Sequence, residues 1–387
     1  TESIRFRLSN LTWSRGISNF FLEDIPYSYS TGLTYTNRIA SLISVYDKWV
    51  ASLGGATDRP LRLCEVGSGL GFFSKHVMDF LRSDYPDIYN RVSFLVTEYS
   101  SEMVDDFNSR NLFADHEDRF ESRTMDFMAP DFTPENCPHL FFLNYVVDSI
   151  PARHIEVDDG VIYELRVTTS VPEDIVMVDH SQMIPKCMDA DEIEALLMGE
   201  DYERQLSLSR RIIGIMQESY ERIPISELDD MSKEEHDDLV GFVDEMVLTK
   251  PIRFNYSFCM KAILDDYFQK MPDHSALMIY DFGYLDIDTF PEVENMMSGF
   301  GVTIFFSVYF KYLIQYAKDA GFKPINICFN EGRSQMMFLV KSNSVDQLEA
   351  SFREVFPDVG YETEHELVDR IKEIKVDDAS YLDIIQD

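Results

Sequence analysis

The sequence is poor in cysteine, poor in basic residues and free of long hydrophobic runs. Five cysteines are spread over 387 residues, and no two of them form a C-x-x-C pair. An odd number of separated thiols argues against a disulfide framework or a structural zinc site, and favours a reducing, intracellular compartment, cytoplasmic or mitochondrial. The longest apolar runs, such as Met336–Val340, have the length of a strand, so no membrane span is predicted.

The shortage of basic residues leaves the chain strongly acidic. Lys and Arg number 34 against 69 Asp and Glu, which gives a formal charge of −35 at pH 7. A polyanion repels the phosphate backbone, and no basic patch interrupts the acidic surplus, so nucleic acid is excluded as a partner. Solubility is the first explanation of the charge, and a salty habitat or a cationic partner are alternatives. Because the chain begins with Thr1, the hypothesis that it is part of a larger polypeptide stays open.

Strand and helix patterns alternate through the first half of the chain. A composition of 45% hydrophobic and 13% aromatic residues is that of a globular protein. Helical periodicity is found at Asn37–Leu53, Phe72–Leu81 and Ser101–Leu112. Short apolar strand patterns are found at Leu61–Val66, Val92–Thr97, Ser122–Met125 and His139–Leu143. This alternation predicts a parallel sheet covered by helices on both faces.

The middle of the chain has a different pattern. Val161–Val167 and Asp174–Val178 predict strands of an extra ribbon, and Asp189–Lys250 is acidic and almost wholly helical in pattern. Between Glu227 and Glu245, nine acidic residues accompany one lysine. Such a run is usually a solvated helix face. Since it lies between strands of the sheet, it is predicted to be an inserted lid.

The last strands indicate the fold class. Ile325–Phe329 and Gln335–Val340 are separated by five residues, too few for a parallel crossover, so the pair must be antiparallel. A parallel sheet ending in an antiparallel hairpin resembles the class I adenosylmethionine-dependent methyltransferases. The predicted fold is therefore α/β: a Rossmann-like, mostly parallel sheet with a terminal antiparallel hairpin and a helical lid insertion. The predicted units are an N-terminal arm and helix (1–60), the first part of the core (61–180), the insertion (181–272), the rest of the core (273–342) and a helical tail (343–387).

A glycine-rich loop follows the first strand. It reads Glu65-Val66-Gly67-Ser68-Gly69-Leu70-Gly71 and leads into a helix. Glycines there allow close backbone approach to a ligand and offer amide donors at a helix start. The acidic residue two places before the first glycine opposes a pyrophosphate but attracts the sulfonium and ammonium of S-adenosyl-L-methionine. A purely structural turn is the alternative; on the ligand hypothesis, the cofactor-binding residues are Glu65, Gly67, Ser68, Gly69 and Gly71.

Acidic residues also end the next two strands. Glu98, followed by Tyr99, lies about 30 residues after the glycine loop, where a carboxylate accepts the ribose hydroxyls in the related dinucleotide fold. A solvated acid at a strand end is the alternative. Asp126 and Phe127 are predicted to bind the adenine amino group and cover the adenine ring, by position alone.

The fourth strand ends in a polar segment. Asn144, Tyr145 and Asp148 should face the transferred methyl group, because ligands in open α/β sheets lie beyond the carboxyl ends of the strands. Asp148 is the predicted base that helps the acceptor lose a proton, and Asn144 is also counted among the cofactor-binding residues. The alternative is that Asn144 and Asp148 cap the following helix. No metal is predicted, since His180 has no second histidine at a recognised spacing.

Five segments together resemble the MidA-like methyltransferases, relatives of the mitochondrial complex I assembly arginine methyltransferase. They are Glu65–Gly71, Glu98-Tyr99-Ser100, Asn144–Pro151 with Gly160–Glu164, Asp281–Tyr284 and Gln335–Leu339. The resemblance implies an adenosylmethionine-dependent methyltransferase. We expect its site to be closed by the aromatic arm Tyr27–Thr36 and by the lid.

This sequence departs from the MidA-like pattern at the fourth strand. Ser68 replaces the usual proline of the loop, Tyr145 replaces a glutamate, and Ser149-Ile150-Pro151 replaces alanine-leucine-proline. The missing glutamate would be the natural partner of an arginine guanidinium. A small or carrier-bound acid or natural product is therefore the favoured acceptor. A protein arginine, or a non-catalytic assembly factor that keeps the fold, are the alternatives.

Overall fold

The computed structural model describes residues 4–13, 28–54, 59–180, 186–246, 250–285, 297–300, 302–329 and 334–356. The strands of these ranges are β1 (Leu61–Val66), β2 (Val92–Glu98), β3 (Phe120–Thr124), β4 (Leu140–Asn144), β5 (Arg153–Asp158), β6 (Val161–Ser170), β7 (Met177–Asp179), β8 (Lys186–Met188), β9 (Gln217–Pro224), β10 (Ile252–Tyr256), β11 (Ala276–Tyr284), β12 (Met297–Phe300), β13 (Thr303–Phe306), β14 (Val308–Tyr309), β15 (Lys323–Phe329) and β16 (Ser334–Val340).

The helices surround these strands. They are α1 (Ile4–Trp13), α2 (Ser28–Thr31), α3 (Leu33–Ser52), α4 (Phe72–Asp84), α5 (Pro86–Tyr89), α6 (Ser101–Ser109), α7 (Ala190–Met198), α8 (Tyr202–Ile215), α9 (Lys233–Asp244), α10 (Met260–Lys270), α11 (Phe310–Asp319) and α12 (Asp346–Val355). Across the described ranges, no helix has both the length and the apolar character that crossing a membrane requires.

The core sheet has the strand order β3-β2-β1-β4-β11-β16-β15. Its first five strands run parallel, whereas β16 is antiparallel to both β11 and β15. The predictions of a mostly parallel sheet and of a terminal antiparallel hairpin are both confirmed. Strands buried on both faces explain the continuous apolar runs in the sequence.

The central strands of the sheet supply two hydrophobic cores, one on each face. Leu63 packs with the core beneath α3 and α4, while its neighbour Cys64 packs with the core beneath α10 and α11. Phe142 and Phe141 divide in the same way on β4. Since successive side chains of a strand point to opposite faces, a short apolar run serves both layers.

The sheet branches at β11. Its residues up to Phe282 pair with β16, and Gly283 and Tyr284 pair with β14 instead. From β14 a second, mostly antiparallel ribbon continues in the order β10-β5-β6-β9. A Cβ at Gly283 would lie 2.0 Å from the carbonyl oxygen of Val308, so only glycine permits this branch.

The prediction that Asp189–Lys250 is almost wholly helical is wrong in one part. Helices α7, α8 and α9 are present, but β9 crosses the region and pairs with β6 over eight residues. The exposure of β9 alternates at its start, as expected for a strand with one solvated face. The sequence did not reveal this alternation because several positions of β9 carry charged residues. One of them, Arg222, forms ion pairs with Glu156 and Asp158.

Two further boundaries differ from the predictions. The helical pattern of the sequence runs from Phe306 to Ala320 and predicts a helix there, but α11 begins only at Phe310, because Val308 and Tyr309 form β14. In the predicted helical tail, α12 is present, and residues 357–387 lie outside the described residues.

Candidate functional site

A cavity of about 420 Å³ opens at the carboxyl ends of β1, β2, β4 and β11. This is the edge where an open α/β sheet binds its ligands. The predicted site residues that line it are Glu65, Gly67, Ser68, Gly69, Glu98, Tyr99, Asp126, Phe127, Asn144, Tyr145 and Asp148. The structure therefore brings together all of the predicted residues except Gly71.

The glycine loop turns sharply at the end of β1. Gly67 and Gly69 have φ of 64° and 53°, a conformation that side chains with a Cβ rarely adopt. A Cβ on Gly67 would also lie 2.9 Å from Cγ2 of Val146. The backbone N–H of Ser68 donates to Thr97 O at 3.0 Å, while its Oγ is buried and has no hydrogen-bond partner in the part of the chain that the structure describes.

Gly71 has a packing role. It is the N-cap of α4 with φ of 76°, and a Cβ there would lie 2.8 Å from Cδ2 of Leu112. It starts the helix that follows the loop but does not line the cavity.

Glu65 lies at the floor of the loop. It is 3% exposed and accepts a hydrogen bond from Oγ of Ser74. Burial, opposed by that hydrogen bond and assisted by the charge of Glu98, raises the pKa of Glu65 to about 8. Glu65 therefore carries a proton at neutral pH unless a positive charge is placed beside it.

Glu98 is fixed by backbone donors at the end of β2. Its Oε2 accepts from the N–H of Gly69 at 2.9 Å and its Oε1 from the N–H of Tyr99 at 2.8 Å. Burial raises the pKa of Glu98, and these backbone hydrogen bonds oppose the rise. The carboxylate is thus oriented rather than free in solvent, unlike the solvated acid of the alternative hypothesis.

Asp126 and Phe127 follow β3 and differ in their surroundings. Oδ1 of Asp126 accepts from the N–H of Met128 at 2.8 Å, so this carboxylate stabilises a turn. The ring of Phe127 is buried against Tyr267, with centroids 5.3 Å apart. Both residues line the cavity.

Asn144 and Tyr145 end β4. Asn144 is 8% exposed, and its Oδ1 accepts from the hydroxyl of Tyr35 at 2.8 Å. Its Nδ2 is buried and has no partner among the residues described. Tyr145 has φ of 56°, and its ring lies 4.7 Å from that of Phe282. Strained backbone of this kind is common at functional sites.

Asp148 lies in the short 3-10 turn Val147–Ser149 and is 3% exposed. Ser149 Oγ donates to its Oδ1 at 3.1 Å. Burial, opposed by hydrogen bonds from Asp281 and Ser149, raises the pKa of Asp148 to about 6. The turn has no side-chain cap, so the alternative that Asn144 and Asp148 serve as helix caps is wrong.

Part of the cavity wall was not foreseen from the sequence. Ser9, Asn10 and Trp13 of α1 contribute to it, as do the residues Thr303–Phe305. Ser9 Oγ accepts from the N–H of Ile304 at 3.1 Å and so joins these two segments. The sequence did not indicate α1 as part of the site, because its apolar residues do not form a strong amphipathic stripe. In the structure, its Leu8 packs in a cluster with residues of other elements.

The two segments predicted to close the site differ in what the structure shows of them. From the predicted arm, Ser30 and Thr31 line the cavity, while Tyr27 lies outside the described residues. The described residues of the 181–272 insertion do not line it.

His180 is exposed and does not line the cavity. The neighbouring Asp179 is fully buried and forms an ion pair with Arg204 at 2.8 Å. Among the residues that the structure describes, no three His, Cys, Asp or Glu side chains are grouped so as to hold a metal ion.

Comparison with solved structures identifies similar folds. A COG1565 superfamily protein from Burkholderia thailandensis matches with a TM-score of 0.51 and 11% identity, over 84% of this chain and 72% of that protein. A second structure from that superfamily and organism, bound to S-adenosyl-homocysteine, has a TM-score of 0.47 at 11% identity, over 76% of this chain. This chain spans 63% of the length of that protein. Human N-acetylserotonin methyltransferase in complex with SAM has a TM-score of 0.37 at 9% identity, over 85% of this chain and 59% of that one.

Comparison of the sequence with known proteins identifies the family. No curated protein matches the chain. The model of the Methyltransf_28 family, described as S-adenosyl-L-methionine-dependent methyltransferases, matches residues 44–326 and so covers well over half of the chain. S-adenosyl-L-methionine is the methyl donor of this family. The chain therefore belongs to this family of S-adenosyl-L-methionine-dependent methyltransferases, and the predicted resemblance to the MidA-like methyltransferases is confirmed.

Proposed function

We propose that the protein transfers the methyl group of S-adenosyl-L-methionine to a small or carrier-bound acid or natural product. The observation that carries the proposal is the meeting, at one cavity, of the glycine loop, the oriented carboxylate of Glu98 and the buried Asp148. The first two suit the donor and the third suits an acceptor that must lose a proton.

The cavity fits the methyl donor. Ser68 Oγ and Asn144 Nδ2 are buried polar atoms that have no hydrogen-bond partner among the described residues, and such atoms usually bind a ligand or water. Glu65 and the loop residues Gly67, Ser68 and Gly69 would hold the methionine part of the donor. Glu98 would accept from the ribose hydroxyls, and Asp126 and Phe127 would contact the adenine. When bound, the donor supplies an electrophilic methyl group.

Asp148 is the proposed base. With a pKa of about 6 it is mostly ionised at neutral pH and can take a proton from the acceptor. Asn144 and Tyr145 would position the acceptor. Tyr145, Phe282 and Phe305 form an aromatic wall, with successive ring centroids 4.7 and 5.1 Å apart, that would exclude water from the reacting atoms.

The proposed division of the chain places the binding residues in one unit. The strand-end residues named above fall in the core segments 61–180 and 273–342. The segments 1–60, 181–272 and 343–387 would be the N-terminal arm and helix, the insertion and the tail.

A titration with the methyl donor tests the proposal. Calorimetry of the purified protein with S-adenosyl-L-methionine should show one site, which Glu98→Ala removes and Glu121→Ala, at an exposed position on β3, leaves unchanged. If the wild type does not bind, the methyltransferase proposal is wrong and the non-catalytic assembly factor is favoured. Unchanged binding by Glu98→Ala would overturn the assignment of the site.

A labelling experiment separates the acceptors. With methyl-labelled donor and a cell extract, label should enter the low-molecular-mass fraction or be released from protein by mild base, as expected for a carrier thioester. A protein arginine is the second candidate, favoured by the charge of −35, which would attract a cationic partner. Label recovered as methylarginine would replace the first proposal by the second.

A further inference from the structure

A second buried carboxyl lies behind Asp148. Asp281 belongs to β11, at the point where the sheet branches, and is 0% exposed. It does not line the cavity. A carboxyl group is costly to bury unless its oxygens are hydrogen-bonded, so its partners indicate why it is there.

The oxygens of Asp281 accept three backbone hydrogen bonds. Oδ2 accepts from the N–H groups of Val147 at 2.8 Å and Asp148 at 3.0 Å, and Oδ1 accepts from the N–H of Phe282 at 2.8 Å. Val147 and Asp148 begin the turn that carries the proposed base, and they lie 134 and 133 residues away in sequence. One side chain thus fixes this turn to β11.

The two carboxyl groups are neighbours, because Oδ2 of Asp281 lies 3.0 Å from the backbone nitrogen of Asp148 and both side chains are buried. Two adjacent buried carboxylates cannot both ionise at neutral pH without a large electrostatic cost. Burial, followed by the charge of Asp148, raises the pKa of Asp281 well above its ordinary value. The strands on either side place neutral residues next to the pair: β16 sets Gln335 opposite Asp281, and β4 sets Asn144 opposite Tyr280.

We infer that Asp281 is a positioning residue for methyl transfer: it fixes the turn of Asp148 and shares one proton with the Asp148 carboxyl. The inference rests on the proposed function, in which Asp148 faces the acceptor. The acceptor therefore meets one half of a carboxyl pair that carries a single negative charge.

The proton count of the proposed step is balanced. The acceptor X–H bond breaks, its proton moves to the Asp148 carboxylate, and its electron pair forms the X–CH₃ bond. The S–CH₃ bond breaks with its electrons remaining on sulfur, which loses its positive charge. Both carboxyls of the pair are then protonated, and one proton returns to solvent before the next turnover.

Carbon-13 NMR of protein labelled at the aspartate carboxyl carbons tests the inference, since this label does not report on Glu65 or Glu98. In the wild type, two resonances should each titrate in two steps, because coupled sites share their macroscopic pKa values. Asp281→Asn should remove one of them, reduce the other to a single step and move its midpoint by about one pH unit or more. Asp148→Asn should likewise reduce the Asp281 resonance to a single step. This variant keeps the Asp281 carboxyl as the acceptor of the backbone hydrogen bonds.

Three outcomes decide the matter. Asp179→Asn, which alters another fully buried aspartate, should leave both resonances unchanged. If Asp281→Asn does not fold, Asp148→Asn still shows whether the titrations are coupled. Single-step titration of both resonances in the wild type would overturn the shared proton. None of these NMR measurements requires the methyl donor. Failure of donor binding would therefore contradict the proposed function, whereas the shared proton is tested by the titrations alone.

Discussion

The hydroxyl of Tyr35 donates a hydrogen bond to Oδ1 of Asn144 across 2.8 Å, although the residues are 109 positions apart. The bond joins the first turn of α3 to the end of β4 at the wall of the cavity. It orients the Asn144 amide so that its oxygen is occupied and its Nδ2 stays available for a ligand. The N-terminal part of the chain therefore contributes to the order of the site.

Replacing Tyr35 by phenylalanine should separate this ordering effect from general stability. Tyr35→Phe leaves the Asn144 oxygen without its donor and should lower the free energy of unfolding by about 1 kcal/mol, and weaken donor binding by a similar amount. Tyr85→Phe removes a comparable hydrogen bond to Ser41, at 3.0 Å, and makes a matched control. Urea unfolding should show a loss of stability in both variants, and calorimetry should show weaker donor binding for Tyr35→Phe alone. Equal donor binding by the two variants would contradict the ordering role.

The glycine loop can be tested with two glycines that share a left-handed backbone. Gly67→Ala should cost about 1–2 kcal/mol for its backbone conformation, and more because its Cβ would meet Val146 at 2.9 Å. Gly160→Ala has the same kind of backbone, with φ of 76°, but nothing within 4 Å of the added Cβ. Chemical unfolding should therefore show a larger loss for Gly67→Ala, and calorimetry should show loss of donor binding for that variant alone. Equal losses would mean that crowding at Gly67 is relieved by movement of Val146.

The sequence predicts the local parts of this site better than the long-range ones. Glu65, Glu98 and Asn144 could be located because polar residues that follow buried strands must reach the same edge of a parallel sheet. The contribution of α1 could not be predicted, because it depends on how a helix docks against Ile304 nearly 300 residues later. Strand β9 was missed because its charged residues resemble those of a solvated helix. The carboxyl pair was missed because each aspartate lies in its own motif, and the pairing of β4 with β11 brings the two motifs together across 133 residues.

Stability should depend on pH through Glu65. Its pKa is about 8 in the folded protein against an ordinary value of 4.5, so the folded state binds the proton more tightly than the unfolded chain. The stability from this group is complete below pH 4.5 and is lost as pH rises to about 8, by up to ~1.4 kcal/mol per pH unit. Glu65→Gln cannot titrate, so its unfolding free energy relative to wild type should increase over this range and then level off. Urea unfolding of the two proteins at several pH values measures this difference, and a difference that does not change with pH would contradict the role of Glu65.

Binding of the methyl donor should release a proton. A cationic ligand end beside Glu65 favours its carboxylate, and below a pKa of about 8 that carboxylate must first lose its proton. Affinity should therefore increase with pH by up to about tenfold per unit and level off near pH 8. Calorimetry in buffers of different ionisation enthalpy measures the released proton directly. Glu65→Gln should bind without proton release, and proton release by this variant would assign the effect to another group.

Substitution of Gly283, where the sheet branches, should strongly lower the free energy of unfolding. Gly283→Ala would place a Cβ 2.0 Å from the backbone carbonyl of Val308, which cannot move aside as a flexible side chain can. Separation of β14 from β11 should cost several kcal/mol of unfolding free energy and displace Asp281, two residues earlier on the strand. Gly241→Ala is a matched control within α9, with nothing near the added Cβ, and should instead stabilise the protein by about 0.5–1 kcal/mol. Urea unfolding compares the two. A small effect at Gly283 would mean that the ribbon is not held to the core through this strand, and that the position of Asp281 is set by the turn of Asp148 rather than by the branch.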